Sequence, residues 1–152
     1  MKKNKIFAGY ICLKSINGIL FPSYLQNKIN KDFITNQLKG SLHMSQNENM
    51  YSKNSIVLNS LINEKNNISG IVMLSVFYLP NTRKERNKMY KNLVKNKKSI
   101  HCILEEIEFK KKEDEEILEE SLIFTDDFFT KEINKINKFE KKIYTNKKWS
   151  FI

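Results

Sequence analysis

The chain holds 27 Lys and Arg side chains, but only Arg83 and Arg86 are arginines, and both come just after the most apolar segment, "SGIVMLSVFYLP". Two arginines one turn apart at the start of a helix suit anion binding. The guanidinium fork takes a phosphate or carboxylate at two points, and the helix N-terminus adds free N–H groups and a favourable dipole. The competing reading is a salt bridge from Arg86 to Glu105 or Glu48 that fixes the helix. Glu105 and Glu48 are also the candidates for acid/base work, and Ser15 is the candidate nucleophile. Gln26 and Ser75 complete the ligand-binding set with the two arginines. No Gly-x-Ser-x-Gly elbow surrounds Ser15, and His43 and His101 fall in strand-like segments, which argues against a Ser/His/acid triad. Four glycines could hardly build a phosphate-cradling loop, so the common nucleotide motifs are out. No metal motif is present and no cofactor is expected.

These residues need a frame, and hydrophobic periodicity supplies one. The near-continuous apolar run at 5–13 predicts a strand covered on both faces. Pro22 then opens a helix with Leu25, Ile29 and Phe33 at helical spacing, and Gly40 stands in the usual stop position. A strand at 41–45, a helix at 54–65 with Val57, Leu58, Leu61 and Ile62 inward, and a central strand at 70–77 follow. Pro80 ends that strand, and Asn81 or Thr82 can cap a helix running to about 97 that buries Met89, Tyr90, Leu93 and Val94. A fourth strand at 99–106 leads into a polar turn and short helix at "KKKEDEEILEES". Repeated strand-helix units imply a three-layer α/β/α fold with a four-stranded parallel sheet, and the order 2-1-3-4, flavodoxin-like or resolvase-like, is expected. Ligands of such sheets bind beyond the carboxyl ends of the strands where the order reverses, between strands one and three. Lys14, Ser15 and the segment 75–80 belong there. Arg86 is four residues before Tyr90 and three before Met89, so both arginines should face the sheet, and Gln26 should reach the same crevice.

Residues 1–121 form the expected α/β domain and 122–152 a C-terminal helical extension. In the extension Thr125 can cap a helix with Asp126 and Asp127 in its first turn, and Phe129, Ile133, Ile136 and Ile143 make an apolar stripe. That stripe packs on its own domain, meets a second copy or partner protein, or lies on a membrane surface.

Length and a 40% hydrophobic content fit one domain with a real core. The longest apolar run is too short to span a membrane and no signal peptide opens the chain, so a cytoplasmic location is expected. Cys12 and Cys102 lie in predicted strands and read as reduced thiols. The net charge is +10, with 18 basic against 7 acidic residues in 1–110 and 9 against 10 in 111–152. Abundance of Lys, Asn and Ile with few Arg, Gly and Pro is what an AT-biased coding sequence produces, so part of this charge reflects coding bias. No basic stripe interleaved with exposed aromatics is evident, which lowers nucleic acid as a partner.

Two resemblances follow from these residues. Gly9 and Tyr10, Pro22 with Gln26 and Asn27, Ser45 with Glu48, "GIVMLSVFYLP", Arg86 six residues after Pro80, Tyr90 and "HCILEE" together resemble the sporadic carbohydrate cluster proteins over about residues 8–109. That family belongs to bacterial gene clusters of surface-carbohydrate type. Asn49 stands where it tends to carry Tyr, so no role for that ring carries over. More remotely, the strand-helix order, Gln26 and Glu105 resemble the catalytic domain of serine recombinases. The Tyr-x-Arg-x-Ser of that family would fall on Tyr10, Cys12 and Lys14, with Ser15 one place off. Its Asp-Arg-Leu-x-Arg would fall on Phe77, Tyr78, Leu79, Pro80 and Asn81, so the arginines that hold the scissile phosphate are missing.

The first resemblance implies a carbohydrate-pathway protein that binds an anionic sugar or nucleotide-sugar through Gln26, Arg83, Arg86 and Glu105. The alternatives are a non-catalytic interaction subunit docking through residues 126–144, and a degenerate recombinase-like nucleic-acid module using the helix of residues 81–98.

Overall fold

The structure is a computed structural model and describes residues 3–16, 18–48, 54–124 and, singly, 134, 135 and 138. The extension helix expected from Thr125 onward, with its stripe from Phe129 to Ile143, lies outside the described residues.

The elements alternate as the periodicity predicts: β1 (Ile6–Ile11), α1 (Ser23–Asn36), β2 (Ser41–Asn47), α2 (Ile56–Asn63), β3 (Gly70–Met73), α3 (Arg83–Lys95) and β4 (Ser99–Cys102). A short strand β5 (Ile107–Phe109) follows, and residues 114–124 are helical and are called α4. The sheet order is β2-β1-β3-β4-β5. The first four strands are parallel and in the expected order, whereas β5 runs antiparallel to β4. The expected four-stranded sheet therefore gains a fifth, edge strand. Glu106 adopts φ 55°, and the turn over 103–106 reverses the chain there. Three residues are too few to display an alternation, which is why the sequence pattern assigned 107–109 to no element and ran the fourth strand on to 106, four residues past the observed end of β4.

Each strand sends alternate side chains to opposite faces. On one face Ala8, Tyr10, Ile71, Met73, Ile100 and Cys102 join Leu58, Leu61, Ile62, Met89, Tyr90, Leu93 and Leu118 in the main core, formed with α2, α3 and α4. On the other, Phe7 and Val72 meet Ile34 of α1 in a much smaller cluster. Val94, expected inward, lies off the buried side of α3 and is exposed. Cys12 and Cys102 are buried free thiols.

α1 is rotated by one residue from the expected stripe. Its buried residues are Gln26, Asn30 and Ile34, while Leu25, Ile29 and Phe33 are half-buried flanks. The inward amides satisfy backbone groups at the end of β1, which a purely apolar face would leave unpaired. Gly40 is needed for close approach rather than for a left-handed turn: a Cβ there would come within 2.7 Å of the Phe7 ring and 2.8 Å of the Lys5 carbonyl oxygen. The left-handed position after α1 is Lys39, at φ 52°.

Candidate functional site at the carboxyl edge of the sheet

Beyond the carboxyl ends of β1 and β3, the sequence-predicted residues are held by the fold in ways that sort them. Gln26 is fully buried: its Nε2 donates to the carbonyls of Cys12 and Phe21, each at 2.8 Å, and its Oε1 accepts from Cys12 N–H at 3.2 Å. It closes the end of β1 and does not line the crevice, as the one-residue rotation of α1 requires. Ser75 is equally buried. Its hydroxyl donates to Glu105 Oε1 at 2.5 Å and accepts from Phe77 N–H at 3.3 Å, while Val76 N–H donates to Glu105 Oε2 at 3.1 Å. β3 consequently stops at Met73 and turns into the 3₁₀ segment Val76–Tyr78. Glu48 accepts Tyr10 OH at 2.9 Å and the Val57 and Leu58 N–H groups at 3.1 and 3.2 Å, so it caps the start of α2. Ser15 is exposed, and no base stands against its hydroxyl among the described residues.

Arg86 is turned inward as helical geometry predicts, Arg83 is largely exposed at the rim, and both meet a carboxylate. Arg86 donates from Nε to Glu119 Oε1 at 2.7 Å and from Nη2 to Oε2 at 3.0 Å, and its Nη1 reaches the Pro80 and Asn81 carbonyls at 3.0 and 2.9 Å. Arg83 Nη1 lies 3.0 Å from Glu119 Oε2. Tyr90 OH donates to Glu119 Oε1 at 2.7 Å. The salt-bridge reading of Arg86 thus has the right kind of interaction with a different partner. Glu105 and Glu48 are committed elsewhere, and Glu119 comes in from α4. The signal for it was available: Glu119 adjoins Leu118 and lies three residues before Leu122, the two apolar positions by which α4 contacts the core.

The Glu119 carboxyl is a balance of opposing effects. Burial alone would raise its pKa, but the hydrogen bonds from Arg86 and Tyr90 and the two guanidinium charges outweigh burial and hold it below the usual value. Arg86 is correspondingly raised, chiefly by its hydrogen bond to Glu119. Burial pushes Tyr90, Tyr10 and Cys12 upward. Tyr78, pushed to about 12 by burial, has a buried hydroxyl with no hydrogen-bond partner among the described residues. Lys14 bridges the two sides of the crevice, donating to Asn81 Oδ1 at 2.6 Å and the Leu79 carbonyl at 3.3 Å, and burial lowers its pKa.

Outward of this cluster lies an open cavity of about 490 Å³. Arg83, Arg86, Asn81 and Glu119 form its polar wall, and Phe77, Leu79 and Leu122 its apolar wall. Two arginines share one carboxylate, so the polar wall keeps an excess positive charge. No group of three His, Cys, Asp or Glu among the described residues is arranged to hold a metal.

A mostly parallel sheet in this order, with its crevice beyond β1 and β3, is an open α/β fold, and likeness to solved structures makes it resolvase-like. Two solved structures share it. The N-terminal catalytic domain of TP901-1 integrase matches with a TM-score of 0.57 at 14% identity, covering 92% of this chain and 99% of that one. A resolvase family site-specific recombinase from Streptococcus pneumoniae matches with a TM-score of 0.59 at 12% identity, covering 93% and 98%. Identities this low establish the fold alone. No protein-family model matches the chain, and no curated protein matches it. Just past the end of β1 this chain has buried Cys12 and the engaged Lys14. No helix among the described residues is long and apolar enough to cross a membrane.

Proposed function

We propose that this domain uses a resolvase-like scaffold without strand-transfer chemistry and binds a small anionic ligand in the carboxyl-edge cavity, specifically an acidic sugar or nucleotide-sugar of a surface-carbohydrate pathway. The observation that carries the reading is the unequal charge of the cavity wall: Arg83 and Arg86 face one Glu119, and the Arg83 side chain is 56% exposed. An anion entering the cavity would pair with the Arg83 fork while Arg86 keeps Glu119 in place. The carbohydrate class rests on the resemblance across residues 8–109, in which Arg86 and Tyr90 are among the matched positions. Gln26 and Ser75 serve this site by fixing its walls, and Lys14 by holding Asn81.

Thermal unfolding of the full chain against a panel of nucleotide-sugars and acidic sugars tests it. At least one should raise the midpoint, and Arg83→Gln should remove most of that rise. A flat panel overturns the reading. Duplex DNA belongs in the same panel because of the fold likeness to recombinase domains. DNA binding that weakens steeply with salt, with no response to any sugar, would favour a nucleic-acid module instead.

A further inference from the structure

We infer that the opposite, amino edge of the sheet carries a separate binding site for a small phosphorylated ligand, formed by Lys5, Lys97 and Lys110 around a floor of Ser99 and His101. The site follows from how unevenly the two faces of the sheet are covered. A parallel sheet must be covered on both faces, but here α2, α3 and α4 pack on one face and α1 alone on the other. At the β4–β5 end of the α1 face the strands present Ser99, His101 and Glu108 in place of apolar side chains. A cavity of about 680 Å³ opens over them at the strands' amino ends, within the size range of small-molecule sites.

Cations reach this cavity from three separate segments. Lys5 precedes β1, Lys97 and Lys98 form the turn between α3 and β4, and Lys110 follows β5. Lys98 is structural, buried with its Nζ donating to the Leu61 and Glu64 carbonyls at 2.7 and 2.9 Å. Lys110 lies 2.9 Å from Glu108, the one acidic residue on the lining. Lys5 and Lys97 are exposed and have no carboxylate partner among the described residues. The excess of positive charge is therefore greater than one, which suits a phosphomonoester dianion better than a single carboxylate.

The floor matches the same ligand. Ser99 Oγ is 3.0 Å from His101 Nε2, and the His101 ring sits edge-on to Phe7 with centroids 5.6 Å apart. Burial, reinforced by the Lys110 and Lys5 charges and opposed by Glu108, pushes His101 down to about 4, so the floor is uncharged at neutral pH. A hydroxyl, a neutral imidazole and the apolar edges of Phe7, Ile68 and Val94 leave room for a flat or ring-shaped group behind the phosphate. Cations that converge on one recess from three segments fit a compact anion, whereas a polymer backbone calls for charges laid out along a groove.

The two histidines of the chain make the test direct. His43 is exposed where the β1–β2 register shifts and provides an internal reference for His101. Imidazole resonances of the full chain are followed at low salt during titration with inorganic phosphate, a nucleoside monophosphate, and a short oligonucleotide lacking terminal phosphate. Both phosphates should move the His101 signals and leave His43 still. The nucleotide should bind more tightly than inorganic phosphate if its ring uses the apolar edges. Replacing Lys5 and Lys97 together by Gln should weaken this response about tenfold, and Arg83→Gln, at the other edge, should leave it intact. The site is overturned by a His101 that stays still up to about 10 mM phosphate, by a response undiminished in the double variant, by a response only to the oligonucleotide, or by one that Arg83→Gln abolishes. Because the readout is His101, failure here is distinct from failure of the carboxyl-edge cavity.

Discussion

The two edges of the sheet treat charge in opposite ways. At the carboxyl edge nearly every polar group named by its chemistry is satisfied within the fold: Glu119 by two arginines and Tyr90, Glu48 by Tyr10 and the start of α2, Glu105 by Ser75 and Val76 N–H. At the amino edge Lys5 and Lys97 form no ion pair among the described residues, and Lys110 meets the half-exposed Glu108. Charge in a sequence is therefore not the same as charge available to a ligand. Availability depends on whether tertiary structure brings a counter-ion, and among the described residues it brings one to both arginines and none to Lys5 or Lys97.

The largest effect expected from this contrast is at Glu119. Glu119→Ala leaves the Arg86 side chain, 14% exposed, without its carboxylate and strips Tyr90 OH of its acceptor. Removing one partner of a buried ion pair costs about 3–5 kcal/mol, so chemical denaturation should show a loss of that size. A loss below about 1 kcal/mol would mean that α4 is not held by this cluster and that the carboxyl edge is as open as the amino edge. The same carboxyl has an acid limb. Its folded value is lowered, so its contribution is complete above the ordinary value of 4.5 and is lost as pH falls through the lower folded value.

A smaller effect with a different pH window belongs to His101. It packs against Phe7 of β1 and Phe33 of α1, pairs across to Glu108 of β5 at 3.5 Å, and lies near Lys5 and Lys110. Its folded value, about 4, is below the ordinary 6.5, because burial favours the neutral ring. Between those values the unfolded chain binds the proton and the folded chain does not. Stability is therefore full above pH 6.5 and declines toward pH 4, by up to about 3 kcal/mol. Urea midpoints measured from pH 7.5 to 4 should show this decline in the native chain and lose it in His101→Gln. An unchanged slope in the variant would place the titration elsewhere. A bound phosphate should shrink the decline by stabilising the protonated ring.

Much of the fold was legible in the sequence, and its failures have definite causes. Apolar runs and helical spacing predicted β1, α1, β2, α2, β3, α3 and β4, because a sheet covered on both faces leaves that pattern, whereas the order of the parallel strands came from fold analogy. Strand ends were too long at β3 and β4, where Ser75 with Glu105 and the reversal at Glu106 stop the ladder through contacts distant in sequence. The face of α1 was misread for a related reason. Hydrophobicity favoured Leu25, Ile29 and Phe33, whereas the backbone at the end of β1 required the amides of Gln26 and Asn30, which bond Cys12 and the Tyr10 carbonyl. The inward aim of Arg86 was readable from its spacing to Met89 and Tyr90, whereas Arg83, expected on the same side, sits largely exposed at the rim. Their partner was not singled out, since Glu119 sits 33 residues beyond Arg86 on a helix whose apolar face is short.

The smallest effects separate two neighbours that the sequence cannot tell apart, Lys97 and Lys98. Lys98 is 5% exposed, and its ammonium holds two carbonyls at the end of α2, a cation placed where the helix dipole is negative. Lys98→Met keeps the length of the stem but leaves those carbonyls without their donor, and should cost about 1–3 kcal/mol. Lys97, one residue earlier, turns the chain at φ 54° with its side chain exposed. Lys97→Gln keeps a side chain of similar bulk at that backbone position and removes only a charge with no ion-pair partner among the described residues, so it should change stability by less than about 0.5 kcal/mol. Lys5, Lys97 and Lys110 line one cavity, so the sign of that small change is informative. A slight gain in stability at low salt that fades as salt is added indicates uncompensated cations, the state a phosphate would relieve. A loss comparable to that of Lys98→Met would show Lys97 to be as structural as its neighbour and remove it from the amino-edge site.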